Sequence, residues 1–289
     1  MSLSYANTPV YIGHPNAAHV NTGFTGSIQY IPALRADVSL DASSKPKRNL
    51  GVDVVSTDQL TFDSALGATI SVESVIQRDL SDPFGFLSGT TGIQQSYVPI
   101  QIGENMYQKC YPQDVSINIQ PFLPVTLKTN FVCLEVPADT QVSGDSKVLA
   151  DTTGIPINPD LFVYGHTCNV SDGSNLLNDV NSQISFTRRY DRSPVYTLGS
   201  MNPTSMLLNG VEEELSISST GLEDFINLSG QEVAGGTISV SLQDVDNEMN
   251  GVLVEMITLP IGSRLISQGY GAVGGDALQT SARFRNIIL

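Results

Sequence analysis

The sequence has no tryptophan, and its Tyr and Phe, part of a 7% aromatic share, are scattered rather than interleaved with basic residues. That argues against aromatic platforms for carbohydrate and against stacking grooves for single-stranded nucleic acid. Cations are scarce: 14 Lys and Arg stand against 29 Asp and Glu, giving a net charge of −15 and a pI near 4.3. A sequence-independent nucleic-acid binder needs a basic face, so tight DNA or RNA binding is not expected. An acidic balance suits a surface that repels nucleic acid, or a chain kept soluble at high concentration. The three cysteines, Cys110, Cys133 and Cys168, are odd in number and far apart. They argue against a disulfide scaffold and for a reducing compartment, which makes the Asn-x-Ser sites at Asn169 and Asn227 chance matches. No stretch approaches the ~18 uninterrupted apolar residues of a membrane span. The first residues, MSLSYANTPVYIGHPNAAH, have no basic start and no apolar core, so no signal peptide is expected.

What the chain does have is apolar material, 40% of its 289 residues, enough for a sizeable core in one large domain or two of ~150 residues. Its 25 Gly and 15 Pro follow no repeat period and mark many turns. Between them run short segments of strict alternation: Val115-Ser-Ile117-Asn-Ile119, Ile184-Ser-Phe186, Leu215-Ser-Ile217 and Ile238-Ser-Val240-Ser-Leu242. Period two is the signature of half-buried strands. Ala277 to Leu289 reads as a further strand, with Phe284 and Ile287 apolar and Arg283 and Arg285 on the parity opposite to Phe284. Two short helices are expected. One starts at Thr220, where Thr220 and Glu223 form a capping box, and stops near Gly230; the other starts at Asp82-Pro83 and ends at Gly89.

These helices belong to an internal repeat. Leu80-Ser-Asp82-Pro-Phe84 matches Leu222-Glu-Asp224-Phe225, and both run on into Leu-Ser-Gly, at Leu87 and at Leu228. Upstream, Val38-Ser-Leu40 with a basic turn at Lys45, Lys47 and Arg48 leads to Leu50-Gly51. It matches Ile184-Ser-Phe186 with a basic turn at Arg188, Arg189 and Arg192, leading to Leu198-Gly199. Downstream, Leu127-Lys-Thr129 matches Leu278-Gln-Thr280. The separations all stay near half the chain length. The expectation is a mainly β protein of two tandem β-sandwich or barrel domains, each with one short helix, at residues 1–140 and 161–289. The polar, turn-rich stretch 141–160 serves as linker or long loop.

Sites with a chemical look do not hold up in the sequence. Gly269-Tyr-Gly271-Ala-Val-Gly274 matches G-x-G-x-x-G but lacks the following helix and acidic residue, so a Gly-rich hairpin or bend is expected. Asp244-Val-Asp246-Asn-Glu248 with Glu255 echoes a calcium loop, but Met249 stands where the sharp turn needs Gly. His14, His19, and His166 beside Cys168 lack the paired spacings of a zinc site. There is no Gly-x-Ser-x-Gly elbow. The acidic runs Glu212-Glu213-Glu214 and Glu223-Asp224 read as solvated faces. No catalytic, cofactor or metal residue is expected, and the chain is not expected to be an enzyme; a β-rich hydrolase using scattered carboxylates is the enzymatic rival.

The duplicated β pattern, the acidic balance and the long C-terminal strand resemble the tail tube proteins of long-tailed bacteriophages. The stretch closest to that family is Ile184-Ser-Phe-Thr-Arg188-Arg-Tyr-Asp-Arg192-Ser-Pro194-Val-Tyr196-Thr-Leu-Gly199, running on through Asn202-Pro203 and Asn209-Gly210 to Glu212 and Ile217. It looks like a strand, a basic turn and a second strand. The resemblance implies a virion structural protein, assembled in the host cytoplasm, whose closed rings stack into a tube for genome ejection. It implies strands contributed to an inner β barrel, long hairpins and termini that lock ring to ring, and an acidic lumen along which DNA passes without sticking. Two copies per chain imply a homotrimeric, pseudo-hexameric ring, or a hexamer with one copy outside; tail sheath and baseplate proteins are the implied partners, with no membrane. A tube-like baseplate hub, or a two-domain receptor- or carbohydrate-binding module, is the alternative.

Open strand edges must be paired, covered or charged, and ring closure by edge pairing does this. Candidate lumen-facing positions are Ser71 and Glu73 in the first copy and Ser216 and Ser218 in the second. The candidate inter-subunit strand carries Arg283, Arg285 and Ile287. Removing the chain from Ala277 onward is therefore expected to abolish assembly, and ordered tubes of the truncated protein in electron micrographs would contradict this.

Overall fold

The computed structural model describes residues 2–5, 10–13, 29–31, 33–41, 44–46, 60–62, 67–77, 96–103, 105–135, 160, 162–165, 168–171, 183–198, 203–219, 238–245, 251–259, 264–271 and 279–288. The protein is mainly β, and among the described residues there is no α-helix. Both expected helices lie outside the described residues, as does the expected linker apart from Asp160.

Every expected alternating segment is a strand, because alternate residues face a core on one side and solvent on the other. The main sheet has 12 strands. Its first block comprises β4 (Ala33–Asp41), β7 (Gly67–Val75), β9 (Asn105–Ile119) and β10 (Thr126–Glu135), in the spatial order β4-β7-β10-β9. Its second block comprises β12 (Gln183–Val195), β13 (Ser205–Ser219), β16 (Arg264–Gly271) and β17 (Gln279–Ile288), in the order β12-β13-β17-β16. Each block thus runs first, second, fourth, third. The blocks join where β9 pairs antiparallel with β12, from Ile184 opposite Ile119 to Arg189 opposite Asp114.

The two blocks also agree in register. Val38 pairs with Ile70, and Ile184 pairs with Ile217. Thr129 pairs with Val72, and Thr280 pairs with Ser219. If Val38 is matched to Ile184, Ile70 falls on Ile217. Matching Thr129 to Thr280 places Ile70 on Ile217 again.

The remaining strands surround this sheet. β1 (Ser2–Tyr5) pairs with β4; β2 (Val10–Ile12) pairs with β3 (Gln29–Ile31) and with β8 (Val98–Ile102), which pairs with the start of β9. β11 (Asn169–Ser171), β14 (Ile238–Val245) and β15 (Gly251–Leu259) form a three-stranded sheet, and β5 (Ser44–Pro46) pairs with β6 (Leu60–Phe62). One buried cluster takes in Val38, Ile70, Phe131 and Ile117 from the first block and Phe186, Leu215, Ile217 and Phe284 from the second. Val10, Ile12, Ile31, Val98, Ile100, Ile102 and Val240 belong to it as well, so β2, β3, β8 and β14 contribute to the same core. Both halves of the chain therefore share one sheet and one core.

Val163 is stitched into a corner of this core. Its N–H donates to Ile76 O (3.1 Å) and its carbonyl accepts from Val125 N (2.8 Å). Two residues on, Gly165 lies so close to the Gln120 carbonyl that a Cβ would come within 2.0 Å of its oxygen, and only glycine fits there.

Two readings of the sequence need correction here. The segment Arg188–Arg192 is not a turn: β12 continues through it to Val195, with Arg188 and Tyr190 buried and Arg189 and Asp191 exposed. The strand tolerates the inward arginine because Glu213 meets it from β13. The cysteines are not all unpaired either. β9 and β10 bring Cys110 opposite Cys133, and the two form a disulfide, while Cys168 is free of one. Sequence distance concealed this pair, since a hairpin register rather than local spacing makes them neighbours. Cross-linking across 23 residues stabilises a fold by about 3 kcal/mol in the chain-entropy account. Protein unfolded without reductant is accordingly expected to take up one equivalent of a thiol-specific maleimide, at Cys168, and three after reduction. Three equivalents before reduction would refute the pairing.

Candidate functional site

The polar face of the main sheet is continuous across both blocks. Direct register partners run Arg35, Glu73, Lys128, Ser116, Thr187, Glu214, Arg285 in one row. The next row runs Asp37, Ser71, Asn130, Asp114, Arg189, Glu212, Ile287. Ser216 follows opposite Ser185 and Arg283, and Ser218 opposite Gln183 and Ser281. All four candidate lumen positions, Ser71, Glu73, Ser216 and Ser218, thus lie on one face. Arg283, Arg285 and Ile287 share it.

The charges on this face are closely balanced. Asp37, Glu73, Asp114, Asp191, Glu212 and Glu214 are interleaved with Arg35, Lys128, Arg189, Arg283 and Arg285. Glu214 takes Arg283 (2.6 Å), and Glu212 takes Arg285 (2.7 Å). Each glutamate reaches diagonally, two residues from its direct register partner on β17. Arg35 pairs with Asp37 along its own strand (2.7 Å), and Asn130 donates to Asp114 (2.7 Å). The Glu214 carboxylate holds the Arg283 guanidinium above its ordinary pKa. The surplus of negative charge in the chain is therefore not concentrated on this face.

Glu212, Glu213 and Glu214 do not share one solvated face. Period two turns Glu213 to the core side, where it and Arg188 are almost wholly buried (2% and 5% exposed). Arg188 reaches Glu213 Oε1 through Nε (2.8 Å) and a terminal nitrogen (2.6 Å), and Asn286 donates to Oε2 (3.0 Å). The Arg188 guanidinium also lies 5.6 Å from the centre of the Phe186 ring. This triad ties β12, β13 and β17 in one register.

β17 lies between β13 and β16, so from Thr280 to Arg285 its backbone is paired inside the chain on both sides. The outer edge on this side belongs to β16 instead. Deleting from Ala277 removes Ala282 and Phe284 from the core, so that truncation tests folding before it tests assembly.

A projecting hairpin was not foreseen as such. Pairing with β9 ends at Arg189, and pairing with β17 ends at Val211. Beyond a bulge after Asp191, Arg192–Val195 and Ser205–Leu208 pair only with each other among the described residues. Val195, Tyr196, Leu198 and Leu207 on this arm are exposed apolar side chains. The root of the arm is anchored by Arg192, which donates to Pro112 O (2.8 Å) and lies over the rings of Tyr111 (5.5 Å) and Tyr190 (5.6 Å). Tyr97 packs edge-on against Tyr111. Burial pushes the Tyr111 hydroxyl above its usual pKa and the Arg192 guanidinium below its own.

The remaining sequence motifs resolve into strands where they are described. Gly269–Gly271 ends β16, with Gly274 outside the described residues. Asp244 lies in β14 and Glu255 in β15, which pair as antiparallel strands rather than flanking a loop with helices. His14, His19 and His166 lie outside the described residues. Among the described residues no group of three or more His, Cys, Asp or Glu is placed to hold a metal ion. No protein-family model matches the chain, and no curated protein matches it.

Glu213→Gln is expected to cost about 3–5 kcal/mol, because it leaves Arg188 buried without its counter-charge. Replacing both residues together, as Arg188→Met with Glu213→Leu, should recover most of that loss in denaturant titrations. A single-variant cost below about 1 kcal/mol would show that the triad does not hold the register.

Proposed function

We propose that the chain is a virion structural protein of the tail tube type, duplicated within one polypeptide, which assembles by strand pairing into closed rings that stack as a conduit for DNA. The observation that carries this reading is the pair of four-strand blocks with the same spatial order and register, joined edge to edge by β9 and β12. A block that joins its copy within the chain has the edges to join further copies between chains. β16 pairs on one side only among the described strands, which leaves an edge that another strand can meet. Three chains of two blocks give a pseudo-sixfold ring; six chains with one block outside give the alternative symmetry.

The polar face supplies the wall of the conduit, with Ser71, Glu73, Ser216 and Ser218 toward the lumen. Arg35, Arg283 and Arg285 on it are each held by a carboxylate, which weakens its hold on phosphate. The β12–β13 arm supplies the contact between rings. A two-stranded ribbon is marginal by itself, and apolar groups at its tip favour a partner that covers them. If the arm does not stack rings, the same protein forms single rings, as in a baseplate hub. A receptor-binding module is the other reading that an exposed Tyr196 and Leu198 favour.

Negative-stain electron microscopy across a concentration series, with light scattering on the same samples, tests the proposal. Rings or hollow tubes are expected, and class averages separate three from six subunits. A monomer at every concentration would overturn self-assembly. Tyr196→Ser with Leu207→Ser should change stability by no more than about 0.5 kcal/mol, since both side chains are exposed. It should leave rings of the same diameter but abolish their stacking; tubes of undiminished length would remove the arm from the assembly.

A further inference from the structure

The chain contains one complete join between blocks and both halves of a second. In the complete join, β9, the third strand of its block, lies antiparallel on the outer edge of β12, the first strand of the next. The corresponding third strand, β16, has its outer edge open among the described residues. The corresponding first strand is β4, and its outer edge is covered: β1 lies on it, with Ser2 opposite Ser39, Leu3 opposite Val38, Ser4 opposite Asp37 and Tyr5 opposite Ala36. We propose that the outer edge of β4 is the docking site for β16 of a second copy of this chain, and that β1 occupies this site in the free chain and leaves it on assembly. The proposal rests on the ring reading given above.

Two features make β1 a placeholder rather than a permanent member of the sheet. It runs antiparallel to β4, as β9 runs antiparallel to β12, and with Val38 matched to Ile184 an incoming ladder would start at Val38, so β1, paired with Ala36–Ser39, holds the first two positions of that ladder, Val38 and Ser39. It is also short, at four residues, where the β9–β12 ladder runs from Ile184 to Arg189. A short strand over an edge is one of the ways proteins blunt edge pairing, and a longer ladder can displace it. The competition sets a threshold: the apparent affinity between copies falls by the fraction of time that the edge is open.

A reversible staple tests this. Ser2→Cys with Ser39→Cys places two thiols opposite each other across the β1–β4 ladder. The oxidised protein is expected to stay monomeric at concentrations where the same protein, reduced by a mild reagent, forms rings by light scattering and electron microscopy. Deleting residues 2–6 should lower the concentration at which assembly begins, by roughly tenfold if β1 holds the edge nine-tenths of the time. Equal assembly of the oxidised and reduced forms would overturn the role of β1 while leaving the ring reading intact. No assembly by the stapled, reduced, truncated or unmodified protein would overturn both.

Discussion

The β9–β12 ladder is the join on which the rest of the molecule depends. It brings the two halves of the chain into one sheet, and because side chains alternate, it carries both faces across at once. On the core side Ile119, Ile117 and Val115 meet Ile184, Phe186 and Arg188; on the polar side Asn118, Ser116 and Asp114 meet Ser185, Thr187 and Arg189. A slip of one residue would place Arg189 in the core and Phe186 in water. The Arg188–Glu213–Asn286 triad sits where such a slip is punished most, since it would separate a buried charge from its partner across two ladders. An ion pair is a poor source of net stability in a core, but it discriminates strongly between registers.

Much of this was legible from alternation alone. The strands at 115–119, 184–186, 215–217 and 238–242 appear where period two places them, and Arg283 and Arg285 do face away from Phe284. Ile287 is the exception in that strand: its parity puts it with the arginines, exposed, although its side chain is apolar. Two of the sequence matches, Val38 with Ile184 and Thr129 with Thr280, give one common register when carried across the ladders. What escaped the sequence depends on pairing between distant strands. A run of three glutamates looks solvated until a strand turns its middle member inward to an arginine 25 residues away. Basic residues at 188–192 look like a turn for the same reason. Cys110 and Cys133 are neighbours only once β9 and β10 are in register.

The charge distribution changes how a conduit of this kind would work. The tail tube resemblance implies an acidic wall, with which a net charge of −15 is consistent. The polar face instead mixes both signs along its rows and closes charges in pairs such as Glu214–Arg283 and Glu212–Arg285. Exposed pairs of this sort add little to stability. Their effect on a passing polyanion is larger: affinity for DNA comes from cations that replace condensed counterions, and an arginine already matched by a carboxylate offers little such exchange. A wall can therefore be slippery by neutrality, without the long-range repulsion that would oppose entry of the DNA.

Edges remain the central difficulty of an open antiparallel sheet, and the chain treats its two outer edges differently. Among the described residues one, on β16, is left unpaired; the other, on β4, carries the short strand β1 over Ala36–Ser39. Two open complementary edges would polymerise wherever chains met, into rings or into fibres alike. Two covered edges would not associate. On the proposed ring reading, one unpaired edge and one guarded edge would make association conditional on displacing β1, so growth would be favoured where an incoming ladder is long and correctly registered. The rule that fixes the fold, core-facing and polar residues matched strand to strand, would on that reading also select the partner, because a block with the same alternation can replace β1 without burying charge.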